Sequence, residues 1–247
     1  MSAPYYADEH ITLYLGDSRE ILPNLGVTAD CIVADPPYGE TSLAWDRWPD
    51  GWLDVVAQIT RSLWCFGSLR MFLDHAAEFA AWKLSQDIIW EKHNGSSRAA
   101  DRFRRVHEQP AHWYRGRWAT IYHQAPKIEV LYRTRDASGS GQPRHTGNIG
   151  STTWTDDGTR ITPSVIRARS MQHGAAIHPT EKPQAILSPL ISYACPLRGL
   201  VIDPFAGSGS TLDAARASGR RAIGIELHEP YAEDAAKRLS QNILEFT

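Results

Sequence analysis

Four short apolar runs in this chain each finish on an acid. His10-Ile-Thr-Leu-Tyr-Leu leads into Gly16-Asp17, and Ala29-Asp-Cys-Ile-Val-Ala34 runs straight into Asp35. Gly199-Leu-Val-Ile closes on Asp203, and Arg221-Ala-Ile-Gly-Ile on Glu226. Helical spacing follows or intervenes over Ser18 to Leu25, Trp52 to Arg61, Pro183 to Cys195, Thr211 to Ser218 and Tyr231 to Ile243. Strands alternating with helices predict an α/β fold: a mostly parallel, twisted sheet with helices on both faces. Ligands of such sheets bind beyond the carboxyl ends of the strands. Four acids at four strand ends therefore predict one crevice ringed by carboxylates.

Between these runs the pattern predicts a buried strand over Leu63 to Leu73, a helix over His75 to Leu84 and a short strand at Ile88-Ile89-Trp90. From Lys92 onward regularity fades. His107 to Trp118 and Ile128 to Arg133 read as strands, and Asp136 to Asp157 as an open loop. The chain reads as a single domain over residues 1–247, with a basic insertion at 92–177 inside it.

Charge supports that division. The net charge is only −2, yet Lys92 to His173 holds 14 Lys+Arg against 6 Asp+Glu. A basic segment inside an acidic body suits a polyanion partner. With 42% hydrophobic and 22% charged residues the composition is that of a globular chain, neither disordered nor fibrous. No apolar run approaches the roughly 18 residues of a membrane span. Met1 to His10 lacks the basic-then-apolar order of a signal peptide. Cys31, Cys65 and Cys195 are few, odd in number and far apart, which predicts buried thiols in a reducing, cytoplasmic setting. His107-Glu108 with His112 does not have HExxH spacing, and Pro110 breaks the helix that motif needs, so no metal is expected.

Asp203-Pro-Phe-Ala-Gly-Ser-Gly-Ser-Thr211 follows a strand and opens a helix. Gly207 and Gly209 permit a sharp turn and close approach of a ligand, and Glu226 at the next strand end suits a ribose diol. Leu212 stands where the third glycine of a dinucleotide fingerprint would fall, and no P-loop lysine follows. Asp35-Pro36-Pro37-Tyr38 packs a carboxylate, a rigid backbone carbonyl and an aromatic face into four residues. Such a set suits an exocyclic amine on a planar base. Asp35 and the Pro36 carbonyl can each accept one amine hydrogen, Tyr38 can stack on the ring, and the prolines fix the geometry beforehand.

These motifs together resemble the amino-methylating DNA methyltransferases, which use S-adenosylmethionine. The resemblance spans nearly the whole chain: Gly16-Asp17, Asp35-Pro-Pro-Tyr38 with Trp45-Asp46, His178-Pro-Thr-Glu-Lys-Pro183, Asp203 to Thr211, and Gly224-Ile-Glu226. The catalytic tetrapeptide precedes the cofactor turn, which is similar to the β arrangement of that family, a permuted Rossmann-like methyltransferase fold. The resemblance implies a catalytic set of Asp35, Pro36, Pro37 and Tyr38. It implies cofactor contacts from Phe205, Gly207, Gly209, Ser210 and Thr211, with Asp203 near the methionine amino group. Glu226 would take the ribose hydroxyls, Asp17 the adenine edge, and Thr180 and Lys182 the methionine carboxylate.

The reaction implied is direct methyl transfer to the amine of a flipped base in double-stranded DNA, with adenine N6 favoured because Asp opens the tetrapeptide. Cytosine N4, an RNA or protein amine, and an inactive DNA-binding relative remain open. A cytosine-C5 enzyme is disfavoured, because Cys195-Pro196 reverses the Pro-Cys order that chemistry needs. Within the basic segment Arg98, Arg102, Arg104, Arg105, Arg115 and Arg117, interleaved with Phe103, Trp113, Tyr114 and Trp118, are the expected DNA contacts. Relatives of the β arrangement are often homodimers, and no membrane partner is expected.

Overall fold

Cys31–Ala34 and Ser62–Cys65 are buried at every position, as strands covered on both faces must be. The computed structural model describes residues 3–39, 46–93, 101–129, 158–169 and 181–241. Its strands are β1 (Tyr6–Ala7), β2 (Ile11–Leu15), β3 (Cys31–Ala34), β4 (Ser62–Cys65), β5 (Lys83–Asp87), β6 (Ile89–Glu91), β7 (His107–Glu108) and β8 (Ala111–Tyr114). They continue with β9 (Lys127–Glu129), β10 (Thr159–Ile161), β11 (Val165–Arg167), β12 (Leu200–Asp203) and β13 (Arg221–Glu226). The helices are α1 (Ser18–Ile21), α2 (Trp52–Ile59), α3 (Leu69–Asp74), α4 (Gln184–Ala194), α5 (Ser210–Ala217) and α6 (Glu229–Gln241).

Eight strands form the central sheet in the order β1-β2-β13-β12-β3-β4-β8-β5. The five from β2 to β4 are mutually parallel, and β1, β8 and β5 run antiparallel to their neighbours. The last two strands of the chain thus insert between the first two long ones. Alternate side chains enter separate cores. Cys31, Val33 and Trp64 pack with Ile186, Leu190 and Ile191 of α4 and Leu212 of α5, whereas Ile32, Ala34, Leu63 and Cys65 pack with Trp52, Leu53 and Val56 of α2 and Met71 of α3. The α/β class and the mostly parallel, two-sided sheet are as expected.

Local expectations differ in three places. Leu63 to Leu73 is not one strand: β4 stops at Cys65, and Ser68 caps α3 by accepting from the Met71 N–H at 3.0 Å. His75 to Leu84 is not a helix. The alanines lie around a single 3-10 turn at Glu78–Ala81, and the chain then enters β5, which pairs with β8. His107 to Trp118 divides at Gln109-Pro110 into β7 and β8, because Pro110 has no N–H to continue a ladder.

The chain forms two compact units, 1–124 with 164–247, and 125–163. In the smaller unit β9 and β10 pair antiparallel, and the Thr162 N–H donates to the Pro126 carbonyl at 2.9 Å. The segment 92–177 is therefore not set apart from the body as one insertion. β8 lies inside the central sheet, and β7 and β11 flank β6 in a small second sheet of the larger unit. Asp136 to Asp157 falls outside the described residues, as do Arg98 and Thr180. Cys31, Cys65 and Cys195 are buried free thiols, and burial pushes Cys195 up to about 12. Among the described residues no helix is long and apolar enough to cross a membrane.

Candidate active site

Parallel pairing of β2, β13, β12 and β3 aligns their carboxyl ends on one edge, so Asp17, Glu226, Asp203 and Asp35 follow one another across it. A cavity of about 670 Å³ opens there, a volume suited to a nucleoside-sized ligand. Asp17, Phe205, Gly207, Glu226 and Tyr231 line one part of it, and Asp35 to Tyr38, Lys92, Glu108 and Lys182 another.

Glu226 is 7% exposed. Its Oε2 accepts the Gly207 N–H and its Oε1 the His228 N–H, both at 2.8 Å, so the two loops above β12 and β13 are tied to one carboxylate. Burial raises its pKa against those two N–H groups. Asp17 also faces the cavity, but its carboxylate caps α1, accepting from the Arg19 N–H at 2.8 Å, and is gripped by the Arg19 guanidinium at 2.6 Å. That grip holds it below the usual carboxylate range. Gly207, at φ +50°, puts bare backbone on the cavity wall.

Asp203, Ser210, Thr211 and Gly209 sit behind the wall. Asp203 is 3% exposed and accepts from the Phe205 N–H at 3.0 Å, which shapes the turn. Burial pushes its carboxyl up to about 7, against the Thr211 and Phe205 hydrogen bonds. Gly209 has φ +74°, and a Cβ there would come within 3.2 Å of Ala235 of α6. Its lack of a side chain serves a left-handed cap and close helix packing, not ligand approach.

At the other end Tyr38 donates its hydroxyl to Asp35 Oδ1 at 2.5 Å. Burial and the adjacent carboxylate raise the Tyr38 pKa, so the phenol keeps its proton. Gly39 N–H donates to the buried Asp46 carboxylate at 2.8 Å, pinning the end of the tetrapeptide. Lys182, 6% exposed, directs its ammonium at Asp35 Oδ2 rather than at open cavity, and its Nζ lies 3.5 Å from Glu108 Oε2. Lys92 pairs with the other oxygen of Glu108. Burial draws Lys182 toward its neutral form, but Asp35 and Glu108 outweigh it and hold its pKa above the ordinary value. Burial likewise opposes ionisation of Glu108, and the two lysines lower its pKa regardless.

Lys92 and Glu108 are site residues that sequence reasoning missed. Glu108 draws attention only as part of a rejected metal motif and Lys92 only as the start of the basic segment, and β6 pairing with β7 is what brings them together.

The arginines separate. Arg105 reaches the cavity wall, with its Nε donating to the His107 carbonyl at 3.2 Å. Arg102 is exposed beside Asp101, and Arg104 and Arg117 are exposed. Arg115 does not fit a DNA contact. Its guanidinium donates to the Ala57 carbonyl of α2 and lies over the Trp82 ring at 5.6 Å, inside the fold. His112 is fully buried between Ser62 and Ser85, at 3.0 and 2.7 Å, and burial pulls it down to about 3, so it is a neutral core residue.

The family model described as DNA methylase matches residues 29–237. The chain belongs to the N6/N4 DNA methylase family. Among curated proteins the methylase is similar to the Type II methyltransferase M.ScaI of Streptomyces caespitosus, 25% identical over 97% of this chain and 84% of that protein. Two solved structures share its fold. One is the M1.HpyAVI-SAM complex, with TM-score 0.65 and 23% identity over 93% of this chain and 98% of that one. The other is PvuII DNA methyltransferase (cytosine-N4-specific), with TM-score 0.65 and 15% identity over 98% of this chain and 93% of that one. The Rossmann-like methyltransferase fold of the methylase is thus shared across the length of both. The family depends on S-adenosylmethionine. The cavity fits that molecule in kind: a carboxylate at Glu226 that suits a diol, the aromatic rings of Phe205 and Tyr231, and bare backbone at Gly207 all line it.

Proposed function

We propose that this methylase modifies the N6 amine of adenine at a specific site in double-stranded DNA. The observation that carries the reading is Asp35 at the cavity end, fixed by Tyr38 and a double proline, on the strand next to the glycine turn. S-adenosylmethionine would supply an activated methyl group, held by Phe205, Gly207 and Glu226 with Asp17 beside them. Asp35 and the Pro36 carbonyl accept the two amine hydrogens, which aims the nitrogen lone pair at the incoming methyl. Tyr38 presents its ring to the base, and Pro37 keeps the loop from rearranging. The amine gains positive charge as the bond forms, and the two acceptors stabilise it. Its surplus proton then leaves, with Asp35 the nearest acceptor.

The target base must leave the helix to enter a cavity of this kind. Arg102, Arg104, Arg105 and Arg117 supply cations for the phosphates around it, and the parts of 92–177 outside the central sheet supply target recognition. Asp at the head of the tetrapeptide supports adenine. Cytosine N4 is the second reading, because it offers an amine beside a ring nitrogen in the same geometry and one protein of this fold is cytosine-N4-specific. Incubation with unmethylated DNA and S-adenosylmethionine, followed by nucleoside mass spectrometry, separates them. N6-methyladenine is expected. N4-methylcytosine would overturn the base assignment, and no methylated base on diverse DNA would overturn the reading.

A further inference from the structure

Two carboxylates and two ammonium groups alternate along the base end of the cavity: Asp35, Lys182, Glu108 and Lys92. Their side chains are 23, 7, 16 and 23% exposed, so solvent screens them weakly. Lys182 also lies over the Phe66 ring at 5.1 Å, and Lys92 over the Trp90 ring at 4.6 Å, which keeps both cations charged at the cavity wall. Glu108 Oε2 is buried and makes no hydrogen bond among the described residues; its nearest cation is the Lys182 ammonium at 3.5 Å.

The arrangement has a cost for the chemistry. An ammonium beside Asp35 opposes the positive charge that reaches the target amine. We propose that Glu108 is a positioning residue that offsets the Lys182 ammonium, so that the negative charge Asp35 presents to the amine is not cancelled during transfer. The inference rests on the methyl-transfer reading above. With Glu108 ionised the four groups sum to zero. Without it they sum to +1 at the place where the reaction delivers charge from sulfur to nitrogen. Oε2 also offers Lys182 a second seat: a short move of the ammonium from Asp35 toward Glu108 frees Asp35 Oδ2 for the amine hydrogen.

The test uses the full chain and three variants, Glu108→Gln, Lys182→Met and the double variant. Glu108→Gln is expected to lower kcat by about tenfold or more, with KM for DNA little changed. Lys182→Met measures what the lysine contributes by itself. The double variant restores charge balance and is expected to be faster than Glu108→Gln alone; a merely structural role for Glu108 makes it slower still. A second readout needs no turnover. Sinefungin carries a cationic amine where the methyl group would sit, and S-adenosylhomocysteine carries none. The ratio of their affinities is expected to fall about tenfold in Glu108→Gln and to recover in the double variant. An unchanged ratio and kcat in Glu108→Gln, or a double variant no faster than the single, overturns the proposal. A wild-type chain that methylates no DNA overturns the function instead, and the affinity ratio still reads the charge balance.

Discussion

Asp35 has both oxygens engaged, Oδ1 by the Tyr38 hydroxyl and Oδ2 by Lys182, and it touches little of the nucleoside end of the cavity. Asp35→Ala should therefore lower kcat by about 10²–10³-fold or more while S-adenosylhomocysteine binding, followed by calorimetry, stays within a few fold. Equal loss of both would remove Asp35 from its assigned place. Asp203 behaves differently because it lies behind the wall. Burial pushes it up to about 7 from the ordinary 3.8, so the folded chain holds that proton more tightly than the unfolded chain does. Its contribution to stability is fully present below the ordinary value and is lost as pH rises through about 7. Asp203→Asn keeps the shape without the titration. Its melting temperature relative to wild type should rise from pH 5 to pH 8 by several degrees. A constant difference across that range would place the carboxyl in solvent. Both acids were legible in the sequence as strand-end carboxylates. Which of them faces ligand was not, because that depends on how the Pro204–Phe205 turn closes around Asp203.

Among elements, β8 shows where sequence patterning stopped informing. Its Ala-His-Trp-Tyr run reads as a strand, but within a basic segment nothing local says that it joins the central sheet, and pairing with β4 and β5 decides the matter. Arg115 follows directly and inherits that placement, so its guanidinium is drawn onto Ala57 and Trp82. Two arginines eleven positions apart should then respond oppositely. Arg115→Ala should destabilise the fold by about 1–2 kcal/mol, seen as a lower melting temperature, because a part-buried hydrogen bond and a ring contact are lost together. Arg104→Ala should leave melting unchanged, weaken DNA binding and flatten its salt dependence by about one ion. Strands ending in acids were legible because each is short, apolar and followed by a turn. The Leu69–Asp74 and Lys83–Asp87 elements were not. Their residues have ambiguous periodicity, and a cap at Ser68 and a neighbour at β8 decide them.

For the whole molecule, the parallel sheet and its carboxylate-lined edge follow from the alternation of strands and helices alone. The crossing of the chain ends does not. Nothing local in Leu200–Asp203 says that it will lie beside Cys31–Ala34, because that adjacency depends on the core shared by both strands with α4 and α5. The same crossing bears on how the protein is made. The tetrapeptide at Asp35 leaves the ribosome early, yet its sheet has a two-strand gap until Leu200–Asp203 and Arg221–Glu226 have been synthesised. A nascent or truncated chain therefore carries its reactive loop with no partner on one side. The loop at Asp35 is therefore fully seated only once both late strands have joined the sheet, and a chain cut short before Leu200 is expected to transfer no methyl group.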